Sequence, residues 1–290
     1  MNGLQGRMLY MPATNNKSKE VLFIYGHHST LESWWPLVQE LNKFGAVTVP
    51  DLPGFGGMQS LYTIGESPTI DRFADYLAAF IKLRYKRRRL TVVGVGFGFV
   101  VATRMLQRYP DLAKKVDLIV SLAGLSHYDD FSLKPSKLKS YRLTAWALSF
   151  RLTAVLFRYT GLQTSILRSA YAARQKALKW YRAMEASVFV NEASANIELW
   201  HKCNVRTHMA TIDAMLKMDN CQSRLSLPFW HVSVKPNQYL NAPRVEQHLQ
   251  VIFEDFHQAQ SKINTRKPIS DVKTAAQLIP SKLRRQLVKA

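Results

Sequence analysis

The sequence predicts an α/β protein: a mostly parallel sheet flanked by helices, with a long helical insertion late in the chain. Three observations carry this prediction. Short apolar runs alternate with stretches of helical spacing between residues 21 and 122. From Ser126 to roughly Asp219 the strand signal stops and only helical periodicity remains. A strand pattern then resumes at Phe229–Val234.

Taken in order, Val21–Tyr25 is a short apolar run ending at Gly26, as a buried strand would. Ser29 precedes Glu32 by three residues, a capping-box spacing that predicts a helix start. Leu31, Trp34, Leu37, Val38 and Leu41 follow at helical spacing, and Gly45 closes the segment. Ala46–Pro50 is the next strand and leads into the turn-rich Asp51–Gly57. Ile70–Tyr85 reads as a helix whose basic end, Lys86–Arg89, suits the helix dipole or plain solvation. Leu90–Val95 is a strand, Phe97–Tyr109 a helix stopping before Pro110, and Val116–Leu122 a strand. After the insertion come Phe229–Val234, a short helix near Pro243–His248, and an alternating strand through Leu249, Val251 and Phe253. The organisation expected is a core of residues 1–125 and 226–290, with a basic tail from about 263, and a helical basic lid over 126–225.

Three strings in this order resemble the α/β-hydrolase superfamily over roughly residues 19–125 and 226–262: VLFIYGHHSTLESWWPLV, VTVPDLPGFGG and LTVVGVGFGFVVATRMLQRYP. The resemblance implies an α/β-hydrolase fold with the lid inserted after the sixth strand. It also implies a nucleophile elbow, G-x-S-x-G, between strand and helix. Here the elbow reads Gly94-Val95-Gly96-Phe97-Gly98, so glycine stands at the nucleophile position, and no Ser, Cys, Asp or Thr lies between Val92 and Ala102. The local string GVGFG is similar to the elbow of the N-myc downstream-regulated proteins, which keep this fold without the triad.

The same resemblance puts Asn237 where the family has its acid and His257 where it has its general base. Asp129 and Asp130 are the weaker substitutes for the acid. Loss of the nucleophile from a serine triad costs about a million-fold in turnover, and an acid-to-amide change about ten-thousand-fold. Ordinary hydrolysis is therefore not expected. A slow attack by water on a reactive ester, activated by His257, remains the alternative. The backbone N–H groups of His27, next to Gly26, and of Phe97 would still line an oxyanion hole at a helix N-terminus. A carboxylate, phosphate or carbonyl ligand would suit that hole, and the expected role is to bind a small apolar or anionic ligand, or a partner, in the former active-site cleft.

The net charge of +20 within 290 residues is the outlying property. A generally basic proteome would account for it, and so would nucleic acid, anionic membrane or acidic partners. The lid concentrates the charge. No Asp or Glu occurs between Ser132 and Met184, while Lys134, Arg142, Arg151, Arg158 and Arg174 alternate with Tyr141, Trp146, Phe150 and Phe157. Three readings stay open: an apolar face covering the cleft, contact with an anionic membrane surface, and single-stranded nucleic acid, which carries less weight. Two cysteines, no secretory signal and no long apolar run lead to the expectation of a cytoplasmic protein, peripheral at the inner membrane surface if the lid binds lipid. No cofactor is expected. His201, Cys203 and His208 are close in sequence, but a single helix over Asn196–Lys217 would hold them on different levels and faces.

Overall fold

The computed structural model describes residues 3–14, 19–86, 88–182, 184–234, 239–263, 269 and 271–289. Seven strands form one sheet in the order β1-β3-β2-β4-β5-β6-β7. They are β1 (Met8–Met11), β2 (Glu20–Ile24), β3 (Ala46–Pro50), β4 (Leu90–Val95), β5 (Val116–Leu122), β6 (Leu225–Ser233) and β7 (Phe253–Gln260). Only β1 runs antiparallel, against β3; every other neighbour is parallel. Helices α1 (Trp35–Asn42), α2 (Ile70–Arg84) and α3 (Phe97–Arg108) follow β2, β3 and β4. Every residue of β2 and β3 is buried, as expected for central strands covered on both faces.

Between β5 and β6 the chain is helical: α4 (Pro135–Leu148), α5 (Arg151–Thr160), α6 (Thr164–Ala177), α7 (Ala186–Lys202) and α8 (Val205–Met215). The insertion follows the fifth strand, not the sixth, because a single strand, β1, precedes β2 among the described residues. It has a small apolar cluster of its own, Ala154, Leu162, Leu167, Ile197, Val205 and Met209, separate from the main core. Helix α9 (Ala242–Ile252) links β6 to β7, and α10 (Val272–Ala276) and α11 (Ser281–Lys289) close the chain. Helix α11 packs on the core: Leu283 and Leu287 are buried, and Arg284 holds the buried Glu40 at 2.5 Å.

Three local expectations need correction. Ser29 caps no helix; its hydroxyl accepts from the Trp34 indole at 2.7 Å, and a single 3-10 turn precedes α1. The stretch 196–217 is two helices, because Asn204 breaks the chain direction and caps α8 by accepting from Thr207 N at 2.9 Å. Leu249 and Val251 belong to α9, so β7 begins only at Phe253. Buried Val245, Leu249 and Ile252 are spaced for a helix face, and the apparent alternation was accidental.

Candidate functional site

The elbow sits at the C-terminal end of β4, in mid-sheet between β2 and β5. Gly96 has φ 49° and ψ −116°, a conformation rarely open to side-chain-bearing residues. The flanking glycines answer to packing. A Cβ on Gly98 would fall 2.3 Å from the Ile24 carbonyl oxygen and 2.4 Å from that of Tyr25; one on Gly94 would fall 2.5 Å from Phe99 Cα. Helix α3 can therefore press against β2 only if Gly98 stays glycine, and against its own strand β4 only if Gly94 does. At Gly96 itself a Cβ would meet nothing within 4 Å, so the space in front of the elbow is open.

The second wall is the turn after β2. His27 lies edge-on to Phe97 at 5.7 Å and to Phe55 at 5.1 Å between ring centroids. This turn places His27 beside the first residue of α3, whose backbone N–H has no intrahelical acceptor. The rings of His27 and Phe97 are thus brought together beside Gly96. Tyr25 and Arg7 anchor the neighbouring Asp51 turn, each donating to the buried carboxylate at 2.7 Å.

Helix α8 supplies a third wall that the sequence did not reveal. His208 lies 4.2 Å from His27 and 4.9 Å from His28 between ring centroids, and Trp200 of α7 lies tilted beside His28 at 4.4 Å and edge-on to His208 at 4.7 Å. Thr211 Oγ1 is 2.7 Å from His27 Nε2 and 2.9 Å from both the Thr207 and His208 carbonyl oxygens, so the His27 tautomer decides which group of the pair donates. Burial lowers His27 to about 3 and His28 to about 4, and takes His208 well below its ordinary value. All three are neutral at physiological pH. Both ring nitrogens of His28 and Nδ1 of His208 are buried without a partner among the described residues. Among those residues, no group of three His, Cys, Asp or Glu has a metal-holding arrangement.

The other site expectations fare differently. His257 does not follow the last strand. It lies within β7, paired with Trp230 of β6, and its ring stacks on the Trp230 indole at 5.1 Å. Its Nε2 is 3.0 Å from Asp255, and its side chain is 50% exposed. The longer α9 is the reason: it pushes the start of the strand to Phe253. Asn237 lies outside the described residues. Asp130 is buried and does hold a histidine, but it is His248 of α9, with Nδ1 at 2.6 Å. Its other oxygen accepts from Ser126 N and His127 N, so the carboxylate ties the start of the insertion to α9. Asp129 instead pairs with Arg244 at 3.0 Å. As expected, His201, Cys203 and His208 do not converge: His201 faces the Leu162 carbonyl, Cys203 is buried and His208 packs against His27.

The insertion presents much apolar surface outward. Tyr141, Leu143, Trp146, Phe150, Leu152, Leu156 and Tyr159 are all exposed. No described helix is long and apolar enough to cross a membrane.

The profile of the alpha/beta hydrolase fold family matches residues 20–180. Protein ABHD8 of Bos taurus and Protein ABHD8 of Homo sapiens are each 25% identical over 181 residues, covering 62% of this chain and 39% of the relative. The chain thus spans well under half the length of these curated relatives. Among solved structures, the enol-lactonase from Burkholderia xenovorans LB400 is similar with a TM-score of 0.68 at 12% identity, covering 100% of this chain and 98% of that one. The Bacillus megaterium epoxide hydrolase in complex with an inhibitor gives 0.67 at 11% identity, with coverages of 100% and 98%. A serine-to-glycine mutant of the N-acyl homoserine lactonase AidH, complexed with N-hexanoyl homoserine lactone, gives 0.63 at 15%, with coverages of 98% and 96%. At these identities the structural likeness speaks for the fold alone.

Proposed function

Because this chain belongs to the α/β-hydrolase fold family yet carries glycine at its elbow, we propose that it is a non-hydrolytic member. It binds a small apolar ligand with an anionic or carbonyl head in the cleft above Gly96. The observation that carries the reading is the elbow itself, which keeps its turn and the open space before it while offering no nucleophile. The His27 and Phe97 amides, with the dipole of α3, favour negative charge at that point. The aromatic walls would cover the apolar part, and the unpartnered nitrogens of His28 and His208 can bond its polar atoms. That a lactonase of this fold holds a lactone in a serine-to-glycine form supports binding without turnover as a workable state.

The alternative, slow ester hydrolysis through His257, draws no support from that side chain, whose ring contact is Trp230 and whose polar partner is Asp255. The binding reading is tested by calorimetric titration with octanoate, an apolar tail with a carboxylate head. Wild type is expected to bind, and Gly96→Leu, which fills the space before the elbow, is expected to lose binding while remaining folded. Equal binding by both would remove the ligand from this cleft.

We also propose peripheral contact between the insertion and an anionic membrane surface, supported by exposed Trp146, Phe150, Leu152 and Leu156 beside lysines and arginines. Co-sedimentation with phosphatidylserine vesicles should fall when Leu152 and Leu156 are both changed to Asp. Undiminished sedimentation, or preferential capture by single-stranded DNA, would contradict it.

A further inference from the structure

A concavity of about 510 Å³ lies between the 3-10 turn Leu61–Ile64, α5 and the first turn of α8. Arg151, Arg158, Arg206, Ser60, Tyr62 and Thr63 line it. No acid lines it, and none of the three arginines pairs with a described carboxylate. The arginines on the sheet side behave differently: Arg7, Arg104 and Arg108 all hold Asp or Glu.

Two of the three guanidiniums are fixed in place by neutral groups. Arg206 lies flat over the Tyr62 ring, 3.5 Å from its centroid, and its Nε donates to the Ser149 carbonyl at 2.9 Å. Arg158 donates to the His201 carbonyl at 2.9 Å and the Cys203 carbonyl at 3.3 Å, at the junction of α7 and α8. Carbonyl and aromatic partners orient a guanidinium without cancelling its charge. Arg151 makes no hydrogen bond or ion pair to a described residue. Like charges gathered around one concavity repel, and a multivalent anion relieves that repulsion. The planar donor forks suit tetrahedral oxyanions, and Ser60, Tyr62 and Thr63 add hydroxyl-bearing side chains to the same lining.

We infer that this concavity is a phosphate-binding site, built for a phosphate monoester held by Arg151, Arg158 and Arg206. A dianion matches the clustered charge better than a carboxylate does. The volume leaves room for a small organic group on the phosphate. The site is separate from the cleft above Gly96 and does not depend on the reading given to it.

The test is titration of the full chain at fixed ionic strength with glycerol 3-phosphate and with acetate, and flotation with phosphatidylcholine vesicles carrying phosphatidate. Wild type is expected to prefer the phosphate ester over acetate. Arg151→Gln and Arg206→Gln should each weaken it by about tenfold, the usual worth of a charge-assisted contact. Arg142→Gln, on the same insertion but outside the concavity, should leave it unchanged. Because Arg151 has no described partner, its replacement does not threaten the fold. Vesicle binding that depends on Arg151, without glycerol 3-phosphate binding, would uphold the site and assign it to a lipid headgroup. Glycerol 3-phosphate binding would uphold it for a soluble ester. No binding of either probe, or an equal loss in Arg142→Gln, would overturn the proposal.

Discussion

The elbow half of the molecule and its helical insertion are governed by opposite constraints. Around the elbow, buried strands, the stacked Phe229 and Phe253 rings (3.9 Å apart) and the contact of α3 with β2 leave little freedom. The insertion rests on a small apolar cluster and turns many large apolar side chains outward among lysines and arginines. The difference teaches why a reactive turn can outlast its reaction. Gly94 and Gly98 are required by packing, so the flanks of the turn are held by contacts that do not involve a side chain at position 96. The insertion answers instead to what lies outside the chain.

That contrast can be broken first at Gly98. Alanine there drives its Cβ into two backbone carbonyls, and urea unfolding should report a loss of about 3 kcal/mol. At Gly96, where the added Cβ meets open space and only the positive φ is unfavourable, alanine should cost about 1 kcal/mol. Equal losses would mean that packing does not set the elbow.

A graded effect should appear with pH. His28 is lowered to about 4 in the fold from an ordinary 6.5, so between those values the unfolded chain holds a proton that the folded chain does not. Stability must then fall as pH drops through this window. Each such histidine contributes at most about 1.4 kcal/mol per pH unit. His28→Gln should flatten the slope of unfolding free energy between pH 6.5 and 4 by up to that amount and leave it unchanged above 7. An unaltered slope would place His28 in water. Least of all should Leu152→Ser matter: the side chain is 83% exposed, and chemical unfolding should shift by less than about 0.5 kcal/mol. A larger loss would show that the insertion is packed more tightly than its outward face suggests.

The sequence was most legible where burial is continuous. The runs that became β2, β3, β4 and β5, and the turn at Gly96, could be read from apolar pattern and glycine spacing. Strand β1 escaped notice because it is a short edge strand alternating between exposed and half-buried positions, with no long apolar run. His257 was misplaced because Leu249, Val251 and Phe253 alternate across the junction of α9 and β7. Two assemblies had no local signal. His27 and His208 meet only because α8 folds back over the turn after β2, and Asp130 meets His248 only because α9 packs beside the start of the insertion. Spacing in a single sequence carries no trace of such distant pairs.

The most direct test of the central claim is turnover of p-nitrophenyl acetate and p-nitrophenyl octanoate by the unmodified chain, followed to many equivalents of protein. The vacant elbow predicts release of p-nitrophenol at the rate of buffer alone. Sustained release above that rate, lost in Gly96→Leu, would contradict the account and require a nucleophile other than a residue-96 side chain acting in this cleft.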